Sequence, residues 1–437
     1  MSLEARLLES LAPWRNAPAW CVGFSGGLDS TVLLHLLVCL ARRETLPPLS
    51  AIHIHHGLQA VADDWPEHCR RFCESLGIPL QIERVEVVGG PSVERAAREA
   101  RFAAMARHLA AGECLLTGQH RDDQAETVLF RLFRGAGVRG LAGIPPVRAL
   151  GDGLLLRPML AFSRAELESY ARAQGLSWVE DPSNRDTEFD RNYLRQVVLP
   201  GIAARWPGAV ANVVRSAAHL AEAEGLLAEL ADLDLVAADR SADHGGWGLP
   251  SLQLEPLRQL SEPRQRNALR RWLASWTKMP DSAHWAGWIA LRDAAGDAEP
   301  VWRLSGGELR RAEGRLWWLS GAWLQAPAVP PDWSDPQVPL PLPENGQLRL
   351  LGNPPAGLLR VRYRSGGEVL DLPGRGRRDL KRLLNEAGVP AFLRGRLPLL
   401  FRADELIAVA NLPGLRAGEG ESWSLVWEPP TNDSGLS

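Results

Sequence analysis

From residue 19 to about residue 134, short apolar runs alternate with amphipathic stretches of helical length. Few folds accept that alternation besides a parallel sheet covered by helices on both faces. Residues 19–24, 49–55, 80–87 and 113–118 read as the strands, and about 30–43, 63–76, 93–110 and 123–133 as the helices. Sheets of this kind collect ligands at the carboxyl ends of their strands. That rule directs attention to the segments after Phe24, after His53 and after Thr117.

A chain of 437 residues exceeds what one core usually serves, and a prior of roughly 150 residues per domain gives two or three units. The expected architecture is α/β, a doubly wound parallel sheet followed by a mostly helical middle domain and a small mixed α/β C-terminal domain. We place the first domain at 1–200, where a capping-box helix starts at Ser163 with Glu166 three residues on. A tryptophan-rich middle domain follows at 201–324, with helix over 207–238 and a hairpin around Gly306 and Gly314. Its tryptophans read as core filler. The proline-rich run 325–345 reads as a linker, and 346–437 as the C-terminal domain.

Residues 1–14 read as a short amphipathic helix carrying Glu4, Arg6 and Glu9 and not as an export leader. The longest apolar run, 32–40, contains His35 and is far below the roughly 20 residues that span a bilayer. A cytoplasmic protein with no membrane partner is therefore expected. Cys21, Cys39, Cys69, Cys73 and Cys114 are odd in number and lack a regular framework, so they read as reduced thiols. The net charge of −3 says nothing of a polyanionic partner, but 360–402 holds eleven Arg or Lys against four acids. That stretch is either an RNA contact or a solvated basic face.

Ser25-Gly26-Gly27-Leu28-Asp29-Ser30 lies between the first strand and the first helix of the sheet. Two glycines let the backbone turn tightly, so amide N–H groups and a helix N-terminus converge on a phosphate chain. The lysine and glycine spacing of a Walker A loop are missing, and so is the dinucleotide fingerprint. Charge neutralisation then falls to Mg²⁺, the helix dipole and arginines from elsewhere, with Asp29 as the metal-side carboxylate. His53-Ile54-His55-His56-Gly57-Leu58 and 117–127, which holds His120, Asp122, Asp123 and Glu126, fall at the same sheet edge. Their acids suit a cationic substrate or Mg²⁺ and also suit the first turn of a helix.

The loop matches the motif of the PP-loop pyrophosphatases, which cleave ATP between its α and β phosphates. Further segments resemble the tRNA(Ile)-lysidine synthase family within that class: His55 to Leu58, Ala97 to Phe102, Asp122 to Thr127 with Arg134-Gly135, Asp181 to Asn184, and Arg191 to Arg195. So do 364–368 and 380–398, by likeness to the terminal domain of longer members. One departure is Gln119-His120, where the family commonly shows two histidines. The resemblance implies ATP and Mg²⁺, free lysine, and an isoleucine tRNA with a CAU anticodon whose wobble cytidine is adenylated and then joined to lysine. It implies Ser25 to Ser30 for ATP, and Asp29, Arg98, Asp122 and Asp123 for catalysis. His55, His56, Arg101, His120, Glu126, Arg134, Asn184, Arg191, Asn192, Arg195, Lys381 and Arg394 would handle substrate or tRNA. A homodimer is left open. The rivals are a tRNA thiolase, which needs reactive cysteines at the sheet edge; a small-molecule amidotransferase, which needs a glutaminase; and a non-enzymatic RNA-binding protein.

Overall fold

The computed structural model describes residues 2–55, 57, 63–85, 93–241, 243–278, 284–295, 298–418 and 423–432. It divides into two compact units, Met1–Gly225 and Leu226–Ser437.

The first unit runs α1 (Leu3–Leu11), β1 (Trp20–Gly23), α2 (Leu28–Ala41), β2 (Leu49–His55), α3 (Trp65–Leu76), β3 (Leu80–Arg84), α4 (Val93–Arg107), β4 (Cys114–Leu116) and α5 (Arg121–Leu132). Next come α6 (Val138–Leu141), β5 (Val147–Leu150), β6 (Gly153–Leu156), α7 (Arg164–Ala173), α8 (Asp190–Tyr193) and α9 (Leu199–Arg205). The strand order is β3-β2-β1-β4-β6-β5. Five strands are parallel; β5 runs antiparallel to β6 at the edge. The expected parallel sheet is present, with an added hairpin closed by the two residues Gly151-Asp152, Gly151 at φ +56°.

Helices cover both faces. One core packs α1, α2 and α7 against the sheet through Leu7, Leu33, Leu37 and Leu167; the other packs α4 through Phe102 and Met105, with Leu109 just beyond the helix. α2 is buried nearly all round because its sequence, LDSTVLLHLLVCLA, has no polar face to give to water. It starts at Leu28, two residues before the expected Ser30, which brings Asp29 into its first turn. The chain winds outward from β1 through β2 to β3, then returns to place β4 on β1's other side. A crevice opens where the winding reverses, between the carboxyl ends of β1 and β4.

The unit boundary falls inside α10 (Ala209–Ala237). The second unit contains β7 (Ser251–Gln253), α11 (Leu254–Arg258), α12 (Glu262–Leu273), α13 (Trp285–Asp293), β8 (Val301–Leu304), β9 (Gly307–Ala312) and β10 (Arg315–Ser320). Where one hairpin was expected around Gly306 and Gly314, two successive ones join β8, β9 and β10, and with β7 they form a sheet ordered β7-β10-β9-β8 beside the helices. Then follow β11 (Leu340–Pro341), β12 (Gln347–Gly352), β13 (Leu359–Arg362), β14 (Val369–Leu372), β15 (Gly376–Asp379), α14 (Leu380–Glu386), α15 (Ala391–Arg394), β16 (Leu399–Arg402), β17 (Glu405–Val409) and β18 (Trp423–Glu428). One apolar cluster joins Trp247, Trp317 and Trp323 to Leu348, Leu380 and Trp427. Trp333, Leu340 and Leu342 of the proline-rich run are buried in it, so that run is packed chain and not a bare tether. No single helix is long and apolar enough to cross a membrane among the described residues.

Candidate active site

The crevice is built around the turn from β1 into α2. Gly26 sits at φ +80°, and a Cβ there would lie 3.0 Å from Cys69 Sγ. Both a positive φ and the tight packing demand glycine. Gly27 caps α2 in extended conformation. Ser25 and Ser30 close the loop: their hydroxyls lie 3.0 Å apart, Ser30 Oγ accepts from the Ser25 amide at 3.2 Å, and Ser25 Oγ accepts from the Gly27 amide at 3.3 Å. Leu28 turns inward to the core. The loop is thereby fixed with the positive end of the α2 dipole at its mouth.

The turn from β4 into α5 packs against this N-terminus. A Cβ on Gly118 would come within 3.0 Å of Asp29 O and Ser30 N, so only glycine permits the approach. It brings His120, fully buried, into a ring of carboxylates: Nε2 lies 3.6 Å from Asp29 and 3.5 Å from Asp123, and Nδ1 lies 3.6 Å from Asp122. Burial pushes this imidazole's pKa down, but the carboxylates of Asp122, Asp29 and Asp123 overcome it and raise it to about 10. The Asp122 amide, 3.2 Å from Nδ1, is by contrast a contact suited to a neutral ring. Of the two, the amide is the closer contact, with Nδ1 accepting at 3.2 Å while the carboxylates stand 3.5–3.6 Å away.

Asp122 also accepts from the Arg164 amide at 2.9 Å, and Asp123 accepts from the His120 amide at 3.1 Å. Burial raises the Asp122 carboxyl's pKa, yet His120 and the Arg164 amide bring it below the usual range. Glu126, 1 % exposed, is gripped by Arg195 through Nε at 2.6 Å and Nη2 at 2.9 Å, and Arg191 lies 3.7 Å away. Arg195 also donates to Asp123 at 3.0 Å. Burial pushes Glu126 upward against this fork; the fork in turn holds Arg195 charged, and the pair is a clamp tying the segment after α8 to α5.

The cavity beside the loop is about 280 Å³ and is lined by Ser25, Asp29, Arg98, Arg101, Asp123 and Arg191 among others. Of the residues expected from sequence, the PP-loop, Arg98, Arg101, His120, Asp122, Asp123, Glu126, Arg191 and Arg195 are thus brought together. His55 is buried nearby with Nε2 3.2 Å from Asp63, while His56 lies outside the described residues. Asn184 is exposed and Asn192 donates to the carbonyls of Ser183 and Asp186, so Asn192 shapes its own loop. Arg134 lies over the Phe130 ring in a neighbouring groove. Lys381 and Arg394 belong to the second unit; Lys381 is exposed, and Arg394 donates to Val389 O and Asn385. Sequence reading did not single out Trp65 or Ile144, which also line the cavity, and it named His53, Phe102 and Gly118 only as members of motifs without a role of their own. Gly118 stood in the 117–127 cluster at the end of a strand; Trp65 and Ile144 lie outside every motif and carry no such signal.

No group of three His, Cys, Asp or Glu is arranged to hold a metal ion among the described residues. Asp29 Oδ1, however, is buried without a hydrogen-bond partner. One such carboxylate, with phosphates and waters completing the shell, is how Mg²⁺ is commonly held. Burial pushes the thiols of Cys21 up to about 11 and of Cys69 and Cys73 to about 12, leaving them protonated and poor nucleophiles.

The fold and this loop define an ATP-using PP-loop enzyme, and a family model described as a PP-loop domain matches residues 1–202. Models described as the TilS substrate binding domain and the TilS substrate C-terminal domain match 252–317 and 359–427. The chain is 64 % identical over its whole length to the tRNA(Ile)-lysidine synthase of Pseudomonas aeruginosa, covering 99 % of it. Identity is 61 % with that of Pseudomonas syringae, over 100 % of this chain and 98 % of the relative. With that of Escherichia coli O157:H7 it is 42 %, over 93 % and 96 %. The chain belongs to the tRNA(Ile)-lysidine synthase family and is a ligase.

Proposed function

We propose that this ligase joins free lysine to carbon 2 of the wobble cytidine in the isoleucine tRNA with a CAU anticodon, changing that tRNA's identity from methionine to isoleucine. The observation that carries the reading is the packing of Gly118 on the α2 N-terminus, which sets the acids of α5 beside the phosphate loop. A site that must bring a triphosphate and an ammonium group to one base needs both charges answered within a few ångströms.

In the first step O2 of the cytidine attacks the α-phosphorus of ATP, and pyrophosphate leaves. In the second the lysine ε-amine attacks carbon 2, and AMP leaves with the oxygen. The Ser25 to Ser30 loop and the α2 dipole hold the phosphates, and Arg98 and Arg101 lie across the cavity to offset their charge. Asp29 would hold Mg²⁺, which supplies charge neutralisation to the phosphates. Asp122 and Asp123 attract the lysine ammonium; an amine of reference pKa about 10.4 must then lose a proton before it attacks. Lys381 and the basic stretch 360–402 are proposed to contact tRNA, Arg394 supporting that surface from within.

The test incubates the protein with labelled lysine, ATP and Mg²⁺, and either an isoleucine tRNA transcript bearing CAU or a methionine tRNA transcript. Label in the first alone, with AMP and pyrophosphate released, is the expected result. tRNA-dependent AMP without label would assign another nucleophile and overturn the reading.

A further inference from the structure

Three helices begin around the phosphate loop. α2 starts within it at Leu28, and Gly118 holds the start of α5 against it, a Cβ there lying 3.0 Å from Asp29 O and Ser30 N. α7 abuts α5 in turn: the Arg121 amide donates to Phe162 O at 2.8 Å, and the Arg164 amide donates to Asp122 at 2.9 Å. The positive ends of three helix dipoles therefore meet at Asp29 and Asp122.

Arg164 is the first residue of α7. A cation at that position is opposed by the helix dipole, and Ser163 and Glu166 already cap the turn. The core takes Leu167 and Ala171 from this helix and leaves the Arg164 side chain 44 % exposed. Its Nη1 stands 3.7 Å from Asp29 Oδ2, and the guanidinium makes no hydrogen bond to another described residue. Neighbouring cations are engaged: Arg195 grips Glu126 and Asp123, Arg191 donates to Thr127 Oγ1 at 2.8 Å, and Arg6 holds Glu166. An exposed pair at the distance of Arg164 and Asp29 contributes little to folding, so the stability of the first unit gives no reason for this charge.

We infer that Arg164 is a further ATP-binding residue, whose guanidinium turns from Asp29 to the β- and γ-phosphates when the nucleotide enters and stays on the pyrophosphate as it leaves. The inference deepens the proposed function and rests on its adenylation step. Arg98 and Arg101 of α4 reach the cavity from one face of the sheet, whereas Arg164 belongs to α7 on the other face, beyond Asp29. The cavity side takes the base, the ribose and the α-phosphate, where the cytidine has to attack. That leaves the far end of the triphosphate for Arg164. When O2 of the cytidine bonds to the α-phosphorus, the bond to the bridging oxygen breaks and its electron pair stays on the pyrophosphate. The loop carries no lysine to answer the added charge; a guanidinium does so on two oxygens at once.

The experiment measures affinity for ATP and for AMP, each with Mg²⁺, for the wild type, R164Q and R164K, together with the melting temperature of each protein without ligand. R164Q should bind ATP about tenfold more weakly and AMP as the wild type does, because AMP has no β- or γ-phosphate. R164K should recover part of the loss, with a point charge in place of a fork. The melting temperature of R164Q should stay the same or rise slightly, since a charge opposed by the dipole has been removed. With ATP and tRNA present, R164Q should form AMP more slowly, on the order of 10²-fold. Unchanged ATP affinity, an equal loss for AMP, or a lowered melting temperature would each overturn the inference, the last two by showing that Arg164 supports the loop through Asp29. The binding measurements involve neither lysine nor tRNA. Failure of lysine incorporation by the wild type, scored in parallel, would therefore sink the lysine reading and leave the role of Arg164 standing.

Discussion

Asp29 and Gly118 do different work at nearly the same point. Asp29 Oδ1 is buried without a partner, so Asp29→Asn removes charge while keeping shape. The expected result is loss of AMP formation on the order of 10²- to 10³-fold, with tRNA affinity unchanged by filter binding. Were RNA binding lost as well, Asp29 would have a structural task, carried by its other oxygen, which faces His120 at 3.6 Å and Arg164 at 3.7 Å. Gly118→Ala instead pushes a methyl carbon against the backbone of Asp29 and Ser30 at about 3 Å. Neither side can yield cheaply, so the α2 N-terminus shifts, and the KM for ATP should rise about tenfold while the melting temperature moves little. An unchanged KM would show that the turn relaxes without touching the loop. The first of these residues stood out in the sequence because a carboxylate beside two glycines and two serines serves little else. The second was visible only as part of a motif, since its constraint is a distance between two turns far apart in the chain.

At the scale of elements, α7 shows how a local signal and a distant partner combine. Ser163 and Glu166 form the expected capping box, with Glu166 accepting from the Ser163 amide at 2.7 Å. Arg6 of α1 then donates to the same carboxylate at 2.6 Å, which no local pattern announces. Burial pushes Glu166 upward, but Ser163 and Arg6 hold it down at about 2, against an ordinary 4.5. A depressed carboxylate contributes stability above its unfolded pKa and loses it as pH falls through the folded one. The side chain is 37 % exposed, so solvent screening reduces the contribution to about 1 kcal/mol. E166Q should therefore be less stable than the wild type by about that much at pH 7 in urea unfolding, and the gap should close between pH 4.5 and 2. A gap that persists at pH 2 would assign the effect to packing. The β5–β6 hairpin shows the opposite case. Gly151-Asp152 before Leu154 to Leu156 was a usable turn signal, but β5, VRAL, is too short and too exposed at its arginine to stand out. Missing it hid Arg148, whose guanidinium carbon lies 4.9 Å from the Phe102 ring centre.

For the whole molecule, the question is how many parts unfold separately. Proline content marked 325–345 as a boundary, because prolines break regular elements whether or not the chain around them is packed. Burial decides otherwise: Trp427, 1 % exposed, meets Trp247 at 6.4 Å and Trp323 at 6.0 Å between ring centres and donates to Asn345 O at 2.7 Å. Those contacts join residues on both sides of the proline run into one core. Periodicity could not show this, since it reports which face of an element is apolar and not what that face meets. W427A removes a large ring from the centre of the cluster and should cost about 3–5 kcal/mol. Because the core is shared, calorimetry should show one transition covering the middle and C-terminal segments moving down together. ATP binding, which depends on residues of the first unit, should survive at temperatures where that transition is complete. Two resolved transitions within 226–437, only one of them shifted, would instead restore the middle and C-terminal segments as independent domains.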